Sequence, residues 1–256
     1  MSQTIKENLG FVGICILIFA ALFAIAMLYE RLAMKDRKKL SSTHYLTYTA
    51  IFSALAGVLM LLEIPLFFAP DFYKIDVSEI PVLICTFYLG PVAGVTCEFI
   101  KVLVKLLLKG TTTAFVGDFA NFAVGCSFVL PASMIYHAKK SRKTALAGMI
   151  VGTLIMTVFG SLFNAVYLLP KFAVMYGVPL DALVAMGSKV NASITSVSTL
   201  VLFAVVPFNL LKGVIDSALT FLLYKRISPI LHKEDAKRIT HKPLPEAASA
   251  PDKTKT

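Results

Sequence analysis

The stretch ALAGMIVGTLIMTVFGSLFNAVYLL, from Ala145 to Leu169, contains no acidic or basic side chain. A helix rises 1.5 Å per residue, so ~20 apolar residues cross the ~30 Å hydrocarbon core of a bilayer. This stretch is long enough to cross, and nothing in it resists lipid except one amide, Asn164, near its far end. Pro170 follows at once, which predicts that the helix ends there. Such a segment decides the solvent of the fold: the chain is built for a membrane.

Other apolar runs extend outward from it on both sides. Towards the N-terminus lies Phe115 to Tyr136, preceded by the cap residues Thr111 to Thr113. Before it come Pro91 to about Leu108 and Ile80 to Leu89, joined at Gly90-Pro91, which reads as a tight turn. A run from about Tyr45 to Phe68 ends among Pro65, Pro70 and Asp71, and Gly10 to Tyr29 is the first. Towards the C-terminus, Lys171 to Val197 is weakly apolar and fits neither pattern. A last helix runs from about Pro207, or nearer Thr199, to Tyr224. Beyond Ser228 the chain is polar and rich in proline and alanine, as a solvated tail would be. The expected architecture is all-α, with seven membrane spans.

Composition agrees. Hydrophobic residues make up 57% of the chain and charged residues only 16%, too few to cover a water-facing surface. The net charge of +10 does not form a nucleic-acid footprint, because its clusters lie between apolar segments and in the tail. Cys15, Cys85, Cys97 and Cys126 lie in or beside apolar runs without a CxxC pair, and read as small buried hydrophobes. No HExxH or Cys/His grouping supports a metal site. There is no P-loop, no GxSxG and no kinase signature.

The first run has the apolar core and the Ala24-Ile25-Ala26 triplet of a signal peptide, but its positive charges, Lys35 to Lys39, follow it. That order is a stop-transfer pattern, so a retained helix is expected. Seven spans place Lys35 to Lys39, Lys139 to Lys143 and Lys225-Arg226 together in the cytoplasm, with the N-terminus outside. Lys101, Lys105 and Lys109 share one helix face and fit this layout less well; Glu98 is placed to pair with Lys101.

Polar groups inside a membrane are costly and call for a role. Asp118 and Asn121 lie near the outer end of their run, Asn164 near the outer end of its own, and Asn209 with Lys212 at the outer start of the last helix. Three helices thus bring amides and an amine to one membrane level, where they could bind a polar solute or glue helices together. An amine at that level is expected to stay hydrated. Ala50 and Ala54, widened by Ala56 and Gly57, form a smooth helix face suited to close approach by another helix, within the chain or outside it.

At these residues the sequence resembles the riboflavin-binding S component of energy-coupling factor (ECF) vitamin transporters, over about Thr43 to Ile227. The resemblance rests on Tyr73-Lys74-Ile75-Asp76-Val77-Ser78-Glu79-Ile80-Pro81, on Leu89-Gly90-Pro91, on Val116-Gly117-Asp118-Phe119-Ala120-Asn121-Phe122, and on Pro207-Phe208-Asn209-Leu210-Leu211-Lys212-Gly213. It implies a six-helix core at 43–227, an extra helix and basic linker at 1–42, and a cytoplasmic tail at 228–256. It implies riboflavin, or FMN, as ligand rather than cofactor. The partners it implies are a transmembrane coupling protein and two ATPases, with transport by toppling of the S component. The ligand pair of the family maps onto Asn209 and Lys212, a further asparagine onto Asn164, and the AxxxA docking motif onto Ala50 and Ala54. Asp76 and Asn121 belong to the matching blocks and join the candidate site. The outer loop that closes over the vitamin falls around Phe67 to Asp76. The extra first helix and the longer segment before Pro207 depart from the family plan. An S component for another vitamin, a self-sufficient carrier, and a membrane enzyme using Asp76, Glu79 or Asp118 are the competing readings. No convincing internal repeat supports the carrier, and no nucleophile–base pair supports the enzyme.

Overall fold

A computed structural model describes residues 2–34, 42–70, 72–111, 113 and 115–240. The elements are α1 (Ser2–Ala33), α2 (Ser42–Leu59), the short strands β1 (Ile64–Pro65) and β2 (Lys74–Ile75), α3 (Glu79–Leu89), α4 (Pro91–Lys109), α5 (Val116–Ala138) and α6 (Arg142–Phe163). A π-helical turn (Asn164–Leu168) leads into α7 (Leu169–Tyr176), followed by α8 (Leu180–Val190) and α9 (Val197–Leu200). A second π-helical turn (Val201–Val205) leads into α10 (Val206–Thr240). Residues 10–33, 116–138, 142–176 and 197–224 are long and apolar enough to cross a membrane. The protein is a multi-pass, all-α membrane protein.

Local chemistry sets the ends. Gly90 turns α3 into α4 with φ of 118°, a conformation open to glycine, and Pro91 then starts α4 where its missing N–H costs nothing. Ser141 and Thr144 form a reciprocal capping box at the start of α6. Ser196 and Thr199 do the same for α9, so the last helical stretch begins at Val197 rather than Pro207.

Four further expectations are corrected. The second run stops at Leu59, because Glu63 and Pro65 turn the chain into β1; the apolar residues after it form a loop. The third run has its expected bounds within a residue, but its eleven residues rise about 16 Å, roughly half a bilayer, short of the expected full span. Pro170 does not end its helix. The Leu169 N–H bonds to the Asn164 carbonyl in a wide turn, and this register shift carries the helix past the proline to Tyr176. The stretch after it is helical at α7 and α8, and α10 remains helical through Thr240, beyond the expected start of a tail at Ser228. The linker residues 35–41 and the last residues, 241–256, lie outside the described residues. Met1–Phe221 forms one compact unit, and Leu222 onward a second.

Within the first unit, α5 and α6 pack along their lengths. A Cβ at Gly148 or Gly152 would come within 2.6 Å of the Ala132 or Phe128 carbonyl, so these glycines let the backbones touch. α1 lies against α4 and α5: Phe19 meets Phe99 and Phe122, and the Tyr29 hydroxyl donates to the Met134 carbonyl at 2.6 Å. The Glu30 carboxylate accepts the Val92 N–H at 2.9 Å, where a negative charge favours the start of α4. Cys85, Cys97 and Cys126 are buried free thiols, and Cys15 is half-exposed.

Candidate functional site

A cavity of about 880 Å³ opens among the first loop, α4, α5, α6, α8 and α10. Its polar wall includes Asp76, Asp118, Asn121, Asn164, Asn209 and Lys212. Residues from four separate stretches of sequence therefore meet at one cavity. The aromatic wall comes from Phe72, Tyr73, Phe172 and Phe208. The Tyr73 and Phe208 ring centroids are 5.4 Å apart, and those of Phe72 and Phe172 5.9 Å.

The first loop is shaped by the pairing of Ile64 with Ile75 and Pro65 with Lys74. It folds Tyr73 inward, where the hydroxyl donates to Asn164 Oδ1 at 2.7 Å. The Asn164 amide also donates to the Gly160 carbonyl at 2.8 Å. Asn164 is the first residue of the π-helical turn, so the same backbone shift that passes Pro170 sets its aim. Asn209 donates to the Val205 carbonyl one turn back, at 3.1 Å. It fits because Gly160 faces it: a Cβ there would lie 3.0 Å from the Asn209 amide nitrogen. Asn121 is half-buried on the wall and makes no hydrogen bond among the described residues.

Lys212 lies on the cavity wall and is paired to an acid. It is 5% exposed and donates to Asp76 Oδ2 at 2.9 Å, with Glu79 Oε1 at 3.7 Å. Asp76 is held in turn by the backbone N–H of Ser78 at 2.9 Å and by the Ser78 hydroxyl. The three lysines of α4 resolve in the same way. Lys101 lies 2.8 Å from Glu79 and 2.6 Å from Glu98, so the expected Glu98 pair is present. Lys105 lies 2.6 Å from Asp118, and Lys109 lies 2.8 Å from Glu63. Lys101 and Lys105 are buried and Lys109 is exposed, but all three face acids, which is why the row fits a simple inside–outside count poorly. Asp76, Glu79 and Asp118 each face a lysine and are not free acids or bases.

The Thr111 hydroxyl donates to Asp118 at 2.6 Å and accepts the Phe115 N–H at 2.9 Å; Thr113 accepts the Gly117 N–H at 3.0 Å. The expected caps are thus at work, Thr112 excepted, which lies outside the described residues. Phe115 takes a left-handed φ of 69°, a strained entry that turns α5 towards the cavity. At the mouth, burial alone would raise the Glu63 carboxyl. Contacts with Lys109 and with Lys74 at 3.1 Å outweigh that and hold it below the usual carboxylate range.

Two residues escaped sequence reasoning. Tyr73 carried no signal beyond its place in a motif block, and Glu79 gave no hint that it would pair with Lys101 on the next helix. Ala50 and Ala54 are both exposed on α2, away from the cavity wall. Ala56 and Gly57 do not widen their face. Ala56 is fully buried, and Gly57 packs against Val104.

Comparison with known proteins follows this geometry. The model of the family described as "ECF transporter, substrate-specific component" matches residues 44–224, leaving α1 outside. The riboflavin transporter RibU of Staphylococcus aureus (strain TCH60) is 34% identical over 202 residues, covering 78% of this chain and 100% of RibU. The riboflavin transporter FmnP of Bacillus subtilis (strain 168) is 29% identical over 195 residues, covering 76% of this chain and 97% of FmnP. A solved structure described as the S component of a bacterial ECF transporter superposes with a TM-score of 0.59 at 34% identity, over 75% of this chain and 99% of that one. The chain belongs to the substrate-specific components of ECF transporters.

Proposed function

We propose that this chain is the riboflavin-binding subunit of an ECF-type importer, with riboflavin or its phosphate FMN as ligand. The observation that carries the reading is the cavity, which sets aromatic walls beside convergent amide and ammonium donors. A flat apolar ring system suits Tyr73, Phe72, Phe172 and Phe208, while ring carbonyls and ribityl hydroxyls suit Asn164, Asn209 and Lys212. Lys212 has three N–H donors and Asp76 takes one of them, so the ammonium can serve a ligand and keep its counter-ion. The relatives named riboflavin transporters span nearly their whole length on this chain.

The remaining parts of the reading follow from the family. The cavity faces outside, the core is 43–227, 1–42 is an added helix with basic linker, and 228–256, helical through Thr240, is cytoplasmic. The chain carries no P-loop, so ATP is hydrolysed by two partner ATPases through a transmembrane coupling protein that docks at Ala50 and Ala54. The N-terminus lies outside and the C-terminus inside, as the basic clusters favour. Externally added thiol reagent should then label a cysteine at Ser2 in intact cells but not one at Thr254.

The ligand is tested by the colour of the purified protein. A yellow preparation with a flavin spectrum, not bleached by excess thiamine or biotin, is the expected result. A colourless protein whose addition leaves riboflavin fluorescence unquenched would exclude riboflavin and favour another vitamin.

A further inference from the structure

A charge cluster runs from the cavity wall, at Asp76, Glu79 and Lys212, to Glu98, Lys101 and Asp216 behind it. Four buried carboxyls, Asp76, Glu79, Glu98 and Asp216, surround two buried ammoniums, Lys101 and Lys212. The Lys105–Asp118 pair is balanced and stands apart. Asp76 lies 2.9 Å from Lys212, and Glu79 lies between two ammoniums, 2.8 Å from Lys101 and 3.7 Å from Lys212. Glu98 competes for the same Lys101 ammonium, so its carboxyl and that of Glu79 face each other across one charge. Asp216 lies one turn along α10 from Lys212, within reach of the fields of Lys212, Glu79, Asp76 and Lys101.

Glu98 and Asp216 are both fully buried. Neither Asp216 oxygen has a hydrogen-bond partner among the described residues, and neither Glu98 oxygen has an aligned one. If all four acids were ionised, the interior would carry two uncompensated negative charges, which a low-dielectric site does not tolerate. Lysines already occupy the positions a cation would take, and no set of three metal-ligating side chains exists among the described residues. From α5, Glu98 meets Gly125, whose Cβ position would lie 2.7 Å from a carboxyl oxygen, and the Cys126 thiol; neither supplies positive charge. The remaining way to neutralise the cluster is to bind protons.

We infer that Glu98 and Asp216 are held as neutral acids, so that this membrane core stores two protons behind the ligand cavity. Each neutral acid then offers one O–H donor. Glu98 donates towards the Glu79 carboxylate, as paired acids do when like charges cannot both ionise. The inference is independent of which vitamin fills the cavity.

Infrared spectroscopy of the purified full chain in lipid nanodiscs at neutral pH tests it. The expected spectrum contains a carbonyl band of protonated carboxylic acid that shifts in deuterium oxide. Glu98→Gln should remove part of that band, Asp216→Asn the rest, and the double variant both. Because an amide copies a neutral acid, both single variants should fold and keep riboflavin affinity within about 3-fold, less than the change from one lost hydrogen bond. Glu79→Gln, which removes an ionised partner of Lys101, should destabilise the protein. A wild-type spectrum without the band would overturn the inference, and so would a band unchanged in both single variants. The wild-type spectrum keeps the test decisive even where a variant fails to fold.

Discussion

Lys212 serves two masters. Its ammonium is the counter-charge of Asp76 at 2.9 Å and a charged donor on the cavity wall. Lys212→Ala therefore removes the proposed ligand contact and also strands a buried carboxylate. Breaking such a pair from one side typically costs about 3–5 kcal/mol. The expected outcome is a protein weakened in both thermal stability and riboflavin binding. Adding Asp76→Asn to Lys212→Ala should restore much of the melting temperature but not the affinity, as read by thermal unfolding and by fluorescence titration. Recovery of both together would mean that Lys212 only balances charge. At this scale the sequence was half legible. Asn209 and Lys212 showed themselves as polar groups on one face of an apolar helix. Asp76, 136 positions away, could not be matched to Lys212 by any spacing rule. The lysine row of α4 was visible too, but its direction depended on acids in α3, α5 and the first loop.

Among the elements, the long helices were legible because lipid demands long apolar runs, and hydropathy reports that demand directly. Where the chain breaks the simple rule, sequence was a poor guide. Pro170 signals a helix end, yet the preceding π-helical turn absorbs it. The eleven residues of α3 cannot cross alone, and the strand-like entry at Lys74–Ile75 runs into them to line the cavity. Non-helical backbone is tolerated in a membrane protein where it borders a cavity rather than lipid. The α2 helix carries the clearest prediction at this scale. Its Ala50 and Ala54 are exposed, while Ser53, Ala56 and Gly57 face inward against α3 and α4. Replacing both alanines by leucine should leave riboflavin binding in detergent within about 3-fold, since no hydrogen bond is lost. The same change should abolish ATP-dependent uptake by whole cells. Uptake at the wild-type rate would remove this face from the docking surface.

For the whole molecule, α1 is the addition to the family plan, outside the matched residues 44–224. It is held by Phe19, Tyr29 and Glu30 to α4 and α5, and none of those contacts involves α2. The extra helix therefore leaves the proposed docking face open. The proposed flavin site is the cavity that gathers Asn164, Asn209 and Lys212. Asn209 tests it most cleanly, because its side chain bonds only to a carbonyl of its own helix and supports no ion pair. Losing one buried ligand hydrogen bond costs about 1–3 kcal/mol, or roughly a 5- to 150-fold loss in affinity. The measurement is a fluorescence-quenching titration of riboflavin into wild-type protein and Asn209→Ala, with unfolding followed in parallel. A flavin site in this cavity requires a dissociation constant raised within that range and an unchanged unfolding transition; an unchanged dissociation constant would rule the site out.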